Sequence, residues 1–288
     1  MAAKPGIAIV GPGNLGTALA VELRRAGFVI EAVIGRSPKS LRRARALAKR
    51  TGARAASNLL NVKAEVVWFC VPDSAIEPTA RLLATQVDWK GRVALHSSGA
   101  LSSDELDSLR RRGASVASAH PFMTFVRGSQ PTLARVPFAI EGDASAVRVA
   151  RRMVRDLGGQ SYTIRTEHKA AYHAWGTFAS PLLTALLATT EQVAAIAGVQ
   201  RTVAVRRMMP ILLQTLANYA AFGAPGAFSG PLVRGDAETV VRHLQVLTEV
   251  PAAREVYLSL RPWRSGPTTG WLCWRISSGM GASSSSNR

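Results

Sequence analysis

The sequence predicts an α/β fold, a doubly wound and mostly parallel sheet followed by an all-helical C-terminal domain. Three observations carry that expectation. Short β-rich runs alternate with helical ones from residue 5 to about 165, the pattern of a parallel sheet with crossover helices. A glycine-spaced turn joins the first strand to the first helix. Past residue 165 strand signals stop, and Ala- and Leu-rich helical stretches punctuated by Gly and Pro take over. The expected divisions are 1–165, 166–262 and an irregular tail, 263–288.

Residues 6–10 (GIAIV) read as the first strand, and 14–26 as a helix closed by Gly27, a residue suited to the left-handed position past a helix end. A second strand spans 28–34, and a basic helix follows over 38–50. The continuous apolar run 65–71 (EVVWFCV) suits a strand covered on both faces. Residues 92–95, 115–119 and 137–141 are further strands. Helices are expected over 166–199, 201–221, 236–247 and 251–260. From residue 263 the chain has no acid, holds three of the six tryptophans and ends in a serine run. That tail is assigned no function.

Composition narrows the class. With 47% hydrophobic residues the bulk of the chain is not disordered. Two cysteines, Cys70 and Cys273, exclude a disulfide scaffold or a Cys-rich zinc site, and the five histidines lack ligand spacing, so no metal is expected. Residues 170–190 and 208–233 carry no charge, but Pro181, Pro210, Gln214 and Asn218 interrupt them; they read as core helices and not as membrane spans. No secretory signal is visible, and the expected compartment is the cytoplasm. The net charge of +18, from thirty arginines and only six lysines, raises nucleic acid as a partner. Its distribution argues otherwise: residues 1–60 carry +9, against +4 over 61–165 and +2 over 166–262. The excess gathers around a phosphate-binding turn, and no nucleic acid is expected.

That turn is Gly11-Pro12-Gly13-Asn14-Leu15-Gly16, the G-x-G-x-x-G spacing between a strand and a helix. The first glycine permits the tight turn, the second lets a pyrophosphate approach the backbone, and the third lets helix pack on strand. The helix N-terminus adds free N–H groups and partial positive charge. A Rossmann dinucleotide site follows. An NAD binder places Asp or Glu at the end of the second strand; here Arg36 stands twenty positions after Gly16, with Ser37 beside it. An arginine fork cannot accept from a ribose hydroxyl but binds a 2′-phosphate, so the expected cofactor is NADP.

In an open α/β sheet the ligand lies outside the carboxyl ends of the strands. Those ends carry Val71 and Pro72, His96-Ser97-Ser98-Gly99, and His120-Pro121-Phe122. Pro72, Ser97 and Ser98 would line the nicotinamide ribose, and His120 would bond a substrate oxygen or give a proton, or else serve as a structural strand-end histidine. On the first C-terminal helix Lys169 shares a face with Tyr172 and His173. An ammonium beside an imidazole suits proton transfer, against the alternative of a solvated face. Arg234 would clamp an acidic substrate group. Asp236 either joins it or caps the next helix.

Taken together, the glycine turn, HSSGAL at 96–101, the HP step with Phe125, the K-x-x-Y-H run and SGP-x-x-RGD-x-x-T-x-x-x-H resemble a group of Rossmann-like proteins with a helical C-terminal domain of unknown function. That group is similar in layout to the 6-phosphogluconate dehydrogenase-like superfamily, with β-hydroxyacid dehydrogenases, ketopantoate reductase and pyrroline-carboxylate reductase. The resemblance covers about residues 5–260. It implies an NADP-type cofactor, a substrate cleft between domains and a homodimer through the helices. This chain departs from the hydroxyacid dehydrogenases, which carry Lys and Asn one helical turn apart, in placing His173 four residues after Lys169. It also has Pro181 where relatives tend to carry Asn. The expected function is an NADP(H)-dependent oxidoreductase acting on a small anionic carbonyl, hydroxy or imine substrate, with Lys169, His173 or His120 moving the proton. The alternative is a non-catalytic NADP-binding regulatory or scaffold protein.

Overall fold

A computed structural model describes residues 4–129 and 131–260 of the chain; the expected tail, 263–288, lies outside them. Eight strands form one sheet: β1 (Ile7–Val10), β2 (Ile30–Ile34), β3 (Arg54–Ala56), β4 (Val66–Phe69), β5 (Val93–His96), β6 (Ser115–Pro121), β7 (Pro137–Gly142) and β8 (Gln160–Thr163). Their order is β3-β2-β1-β4-β5-β6-β7-β8. Every neighbouring pair is parallel except β6 and β7. The doubly wound, mostly parallel sheet is therefore as the sequence predicts.

Alternation along the strands builds two cores. Ile7 and Ile9 of β1, with Val66 and Trp68 of β4, face one side; Ala8, Val10, Val67 and Phe69 face the other. The first side is covered by α1 (Asn14–Arg25), α2 (Pro38–Thr51) and a later helix, Ala144–Asp156, through Leu19, Leu23, Leu47 and Met153. On the other side lie α3 (Ile76–Leu83) and the single turn α4 (Asp107–Arg110), with Ile76, Leu83 and Leu109 buried. We label Ala144–Asp156 α5. Covered on both faces, β1, β4 and β5 are buried throughout, which is why β1 and β4 read as unbroken apolar runs and β5 is apolar up to His96.

Two strands escape a reading based on apolar runs. The strand β3 has three residues, two of them alanine, and β8 (QSYT) is exposed along its whole length. Each is an edge strand held by backbone pairing, to β2 and β7 respectively.

The expected single helix over 166–199 is instead α6 (Lys169–Thr177), a wider π-helical turn (Phe178–Leu182) and α7 (Leu183–Ile196). Pro181 sits inside that turn; with no N–H and a ring that crowds the preceding carbonyls, it displaces the regular ladder. The chain divides into two compact units at Ser180/Pro181. The second unit continues with α8 (Arg201–Ala227), α9 (Pro231–Arg234), α10 (Ala237–Val246) and α11 (Pro251–Ser259), and Gly223 breaks α8 with φ +66°. Among the described residues its buried apolar side chains are Ala204, Val240, Leu244, Leu247 and Ala253. By contrast α7 buries none, and Ile211, Leu213, Leu216, Tyr219 and Phe222 of α8 are exposed. Among the described residues no single helix is long and apolar enough to cross a membrane.

Candidate active site

Strand order reverses between β1 and β4, and the glycine turn leaves β1 at that switch point. Gly11 has φ +101°, and a Cβ there would meet the Cys70 carbonyl oxygen at 2.6 Å. A Cβ on Gly16 would meet the Gly11 carbonyl oxygen at 2.1 Å. The protein's own packing therefore requires both. Gly13 is different: its φ is −76°, and the nearest atom to a Cβ would be 3.9 Å away. Its missing side chain leaves open space in front of the N-terminus of α1. No side chain caps that end and no acid occupies its first turn, so its N–H groups and partial positive charge suit an anion. Asn14 ties the turn to the Phe125 carbonyl (3.1 Å), and Leu15 packs on the core. Past β4, Val71 lies against Gly11, and Pro72 is exposed at the crevice.

At the end of β2, Arg36 is exposed and reaches across to α3, donating through Nη1 to Thr79 Oγ1 (3.0 Å). One of its five N–H groups is used there, which holds the fork beside the crevice. Ser37 is the N-cap of α2, in a reciprocal capping box with Ser40 (3.1 and 2.8 Å). Its hydroxyl is engaged locally, and Arg36 is the better anion ligand of the two.

The end of β5 is built around a neutral histidine. His96 is fully buried; its Nδ1 accepts from the Ser98 N–H (3.1 Å), so Nε2 carries the hydrogen and donates to the Ser102 carbonyl (2.9 Å). Burial pushes its pKa down to about 4. Ser97 and Ser98 are also buried. Ser97 Oγ accepts from Trp68 Nε1 (2.8 Å), and Ser98 Oγ accepts from the Leu101 N–H (2.9 Å).

Above this loop, Lys169 is 1% exposed, not on a solvated face. Its ammonium donates to Ser118 Oγ (2.7 Å) and the Ser98 carbonyl (3.2 Å), and lies 3.8 Å from the Glu141 carboxylate. Glu141 in turn accepts from the Ser103 N–H (2.7 Å) and hydroxyl (2.9 Å). Ser118 and Glu141 are directly paired across the antiparallel β6/β7 ladder. Burial pulls the Lys169 pKa below the ordinary lysine value, opposed by the Glu141 charge. Glu141, Ser103 and Ser118 are not legible in the sequence, for none sits in a spaced motif.

Two other imidazoles meet over Gly99, where a Cβ would lie 2.9 Å from His173 Cδ2 and 3.0 Å from His120 Nε2. Their centroids are 6.2 Å apart. His120 is half-buried and bonded through Nδ1 to the Tyr172 hydroxyl (2.7 Å), while His173 is exposed. Phe122, Tyr172 and Trp175 form an aromatic wall beside them, with Phe122 and Trp175 centroids 4.3 Å apart. The structure thus brings together His120, Lys169 and His173 at the end of β5. In the second unit, Arg234 ends α9, exposed and with no ion pair among the described residues; Asp236 accepts from the Thr239 N–H (3.4 Å) as the N-cap of α10. Among the described residues no group of three or more His, Cys, Asp or Glu is placed to hold a metal ion.

A glycine turn at the switch point of a doubly wound sheet defines the Rossmann class of dinucleotide-binding folds. Residues 2–121 match the Rossmann-like domain family, and residues 136–261 match the domain of unknown function DUF2520; the chain carries the first followed by the second. Among solved structures it is similar to a Bacteroides fragilis protein provisionally described as an NADP oxidoreductase (22% identity, TM-score 0.75, covering 90% of this chain and 96% of that one). It is also similar to a Thermotoga maritima protein (25%, 0.66, 88% and 94%). A third is an imine reductase from Myxococcus stipitatus in complex with NADP+ (16%, 0.60, 88% and 92%). These likenesses extend over both matched segments and establish the fold. No curated protein matches the chain.

Two outcomes follow from this geometry. Gly13→Ala should leave the melting temperature within a degree or two, whereas Gly16→Ala, forced into the Gly11 carbonyl, should lower it by several degrees; equal effects in a thermal melt would refute the packing argument. Acid should also destabilise the fold through His96. Between its unfolded value of 6.5 and its folded value of about 4 the unfolded state binds more protons, so stability rises with pH across that window and is lost on acidification. Urea midpoints measured from pH 7 to 4 should fall more gently in His96→Gln than in the wild type; identical slopes assign the acid sensitivity elsewhere.

Proposed function

We propose that the protein is an NADP(H)-dependent oxidoreductase acting on a small anionic carbonyl, hydroxy or imine compound. The observation that carries this reading is the open space before Gly13 at an uncapped helix N-terminus, on the switch point of the sheet. Gly11 and Gly16 answer to the protein's own packing; Gly13 answers to nothing in the chain and suits a pyrophosphate. Backbone N–H groups of the turn would hold it, and Arg36, fixed by Thr79, would take the 2′-phosphate. A bound nicotinamide supplies or accepts hydride. His120 and His173, facing Gly99, would move the accompanying proton, while Lys169 is enclosed by its partners. The bound NADP+ of the Myxococcus stipitatus enzyme supports the cofactor assignment.

Titration with NADPH and NADH tests the reading. The wild type should prefer NADPH, and Arg36→Asp should weaken NADPH at least tenfold, about 1.4 kcal/mol, with little effect on NADH. Equal loss for both nucleotides removes Arg36 from the 2′-phosphate, and absence of binding to either overturns the proposal. Tight binding without turnover on a panel of keto acids and cyclic imines would favour the non-catalytic NADP-binding alternative.

We also propose a homodimer through the helical unit. Soluble monomers rarely leave contiguous apolar patches open, yet Ile211, Leu213, Leu216, Tyr219 and Phe222 are each more than half exposed. Light scattering should give twice the chain mass, and Leu216→Arg with Phe222→Arg should halve it. A wild type that stays monomeric at micromolar concentration would exclude this assembly.

A further inference from the structure

His120 and Tyr172 form a pair that the proposed chemistry does not by itself explain. The Tyr172 hydroxyl lies 2.7 Å from His120 Nδ1, and the rings stand at 88° with centroids 5.4 Å apart. Tyr172 is buried, and burial raises its pKa, with Tyr162 as a lesser cause, so the phenol keeps its hydrogen. Burial also lowers His120 to about 4, helped by His173, Lys169 and His96, so the ring is neutral near pH 7. Each partner then holds one hydrogen. A phenol is the stronger donor and an imidazole nitrogen the stronger acceptor, which orders the pair as O–H to Nδ1. The remaining ring hydrogen falls on Nε2, the atom that stands over Gly99 beside His173. The other charged or titratable groups nearby are Glu141 and Asp73, whose charges act on Lys169, and Tyr162, whose ring meets Tyr172 edge-on at 6.4 Å.

We propose that Tyr172 is a positioning residue that locks His120 in its Nε2–H form and replaces the proton His120 gives to substrate. The inference rests on the oxidoreductase reading and deepens it. In the reductive direction a reduced nicotinamide is the hydride source, and the hydride bonds to the carbonyl or imine carbon as its π bond opens. The resulting lone pair on oxygen or nitrogen takes the Nε2 hydrogen, and Nδ1 takes the hydrogen of Tyr172. Solvent then delivers one proton to Nε2 as Nδ1 hands its hydrogen back to the phenolate, which restores the Nε2–H form, with the partly exposed Tyr162 at the edge of the pair. No net charge stays in the site. Lys169 is left as a fixed cation beneath the pair and not as the donor.

Imidazole 15N spectra of the full chain read the tautomer without substrate or cofactor. Wild-type His120 should show a protonated Nε2 and a bare Nδ1 from pH 6 to 8. Tyr172→Phe should mix the two forms and move the midpoint of the His120 titration by at least half a pH unit. A wild type with hydrogen on Nδ1, or a Phe variant with the wild-type tautomer and midpoint, overturns the proposal. The wild-type spectrum decides even if the variant fails to fold. Failure here leaves NADPH binding untouched, whereas failure of NADPH binding in the wild type removes the oxidoreductase reading while the tautomer stands.

Discussion

A single buried ammonium organises this end of the molecule. Removing a lysine from water costs several kcal/mol unless its charge is met and its hydrogens are bonded. Lys169 finds a hydroxyl from β6, a carbonyl from the loop after β5, and the Glu141 carboxylate on β7. Three neighbouring strands must therefore arrive in one register for the charge to be tolerated. The antiparallel β6/β7 pairing supplies it by setting Ser118 directly opposite Glu141. Because Lys169 opens α6, satisfying it also fixes where Tyr172 and His173 point. The same network pins the far end of the loop after β5, since Ser103 spends both its N–H and its hydroxyl on Glu141.

The two ends of the crevice rest on different physics. At the glycine turn the constraint is steric: backbone passes so close to backbone that two positions admit no side chain. At the end of β5 it is electrostatic, for burial holds His96 neutral, with both ring nitrogens bonded, while Lys169 stays paired to Glu141. The first leaves open space before Gly13 at an uncapped helix N-terminus. The second offers polar groups already committed, so that the half-buried His120 and exposed His173 are the ring nitrogens with capacity to spare.

Much of the frame is legible in the sequence for a plain reason. Strands buried on both faces are apolar wherever no internal hydrogen bond is on offer, and β1 and β4 announce themselves by being so throughout. Edge strands carry no such signal, which hides Arg54–Ala56 and Gln160–Thr163. The glycine turn is readable because its spacing follows from local geometry, and Lys169, His120 and His173 stand out as polar residues at strand ends or on one helix face. What they touch is not readable. Glu141 looks like an ordinary polar end to a strand, and only the reversed pairing of β7, a long-range fact, turns it toward Lys169. Ser98 looks like a ligand hydroxyl, yet it caps its own loop. The helix over 166–199 is continuous in pattern, and its π-helical turn follows from one proline whose cost depends on what surrounds it.

The placement of β7 ties the two matched segments to each other. The two family matches end at residue 121 and begin at residue 136, between β6 and β7 of one continuous sheet. The boundary between homologous segments is therefore not a boundary between independently folding bodies. A chain stopped at the first boundary would expose β6 as a raw edge, and a chain begun at the second would carry Lys169 and Glu141 without Ser98 or Ser118. The two segments therefore complete one another: the C-terminal one supplies the strand that covers β6 and the ammonium that Ser98 and Ser118 meet. Any partner it accepted would have to present a sixth strand with a hydroxyl at the level of Ser118.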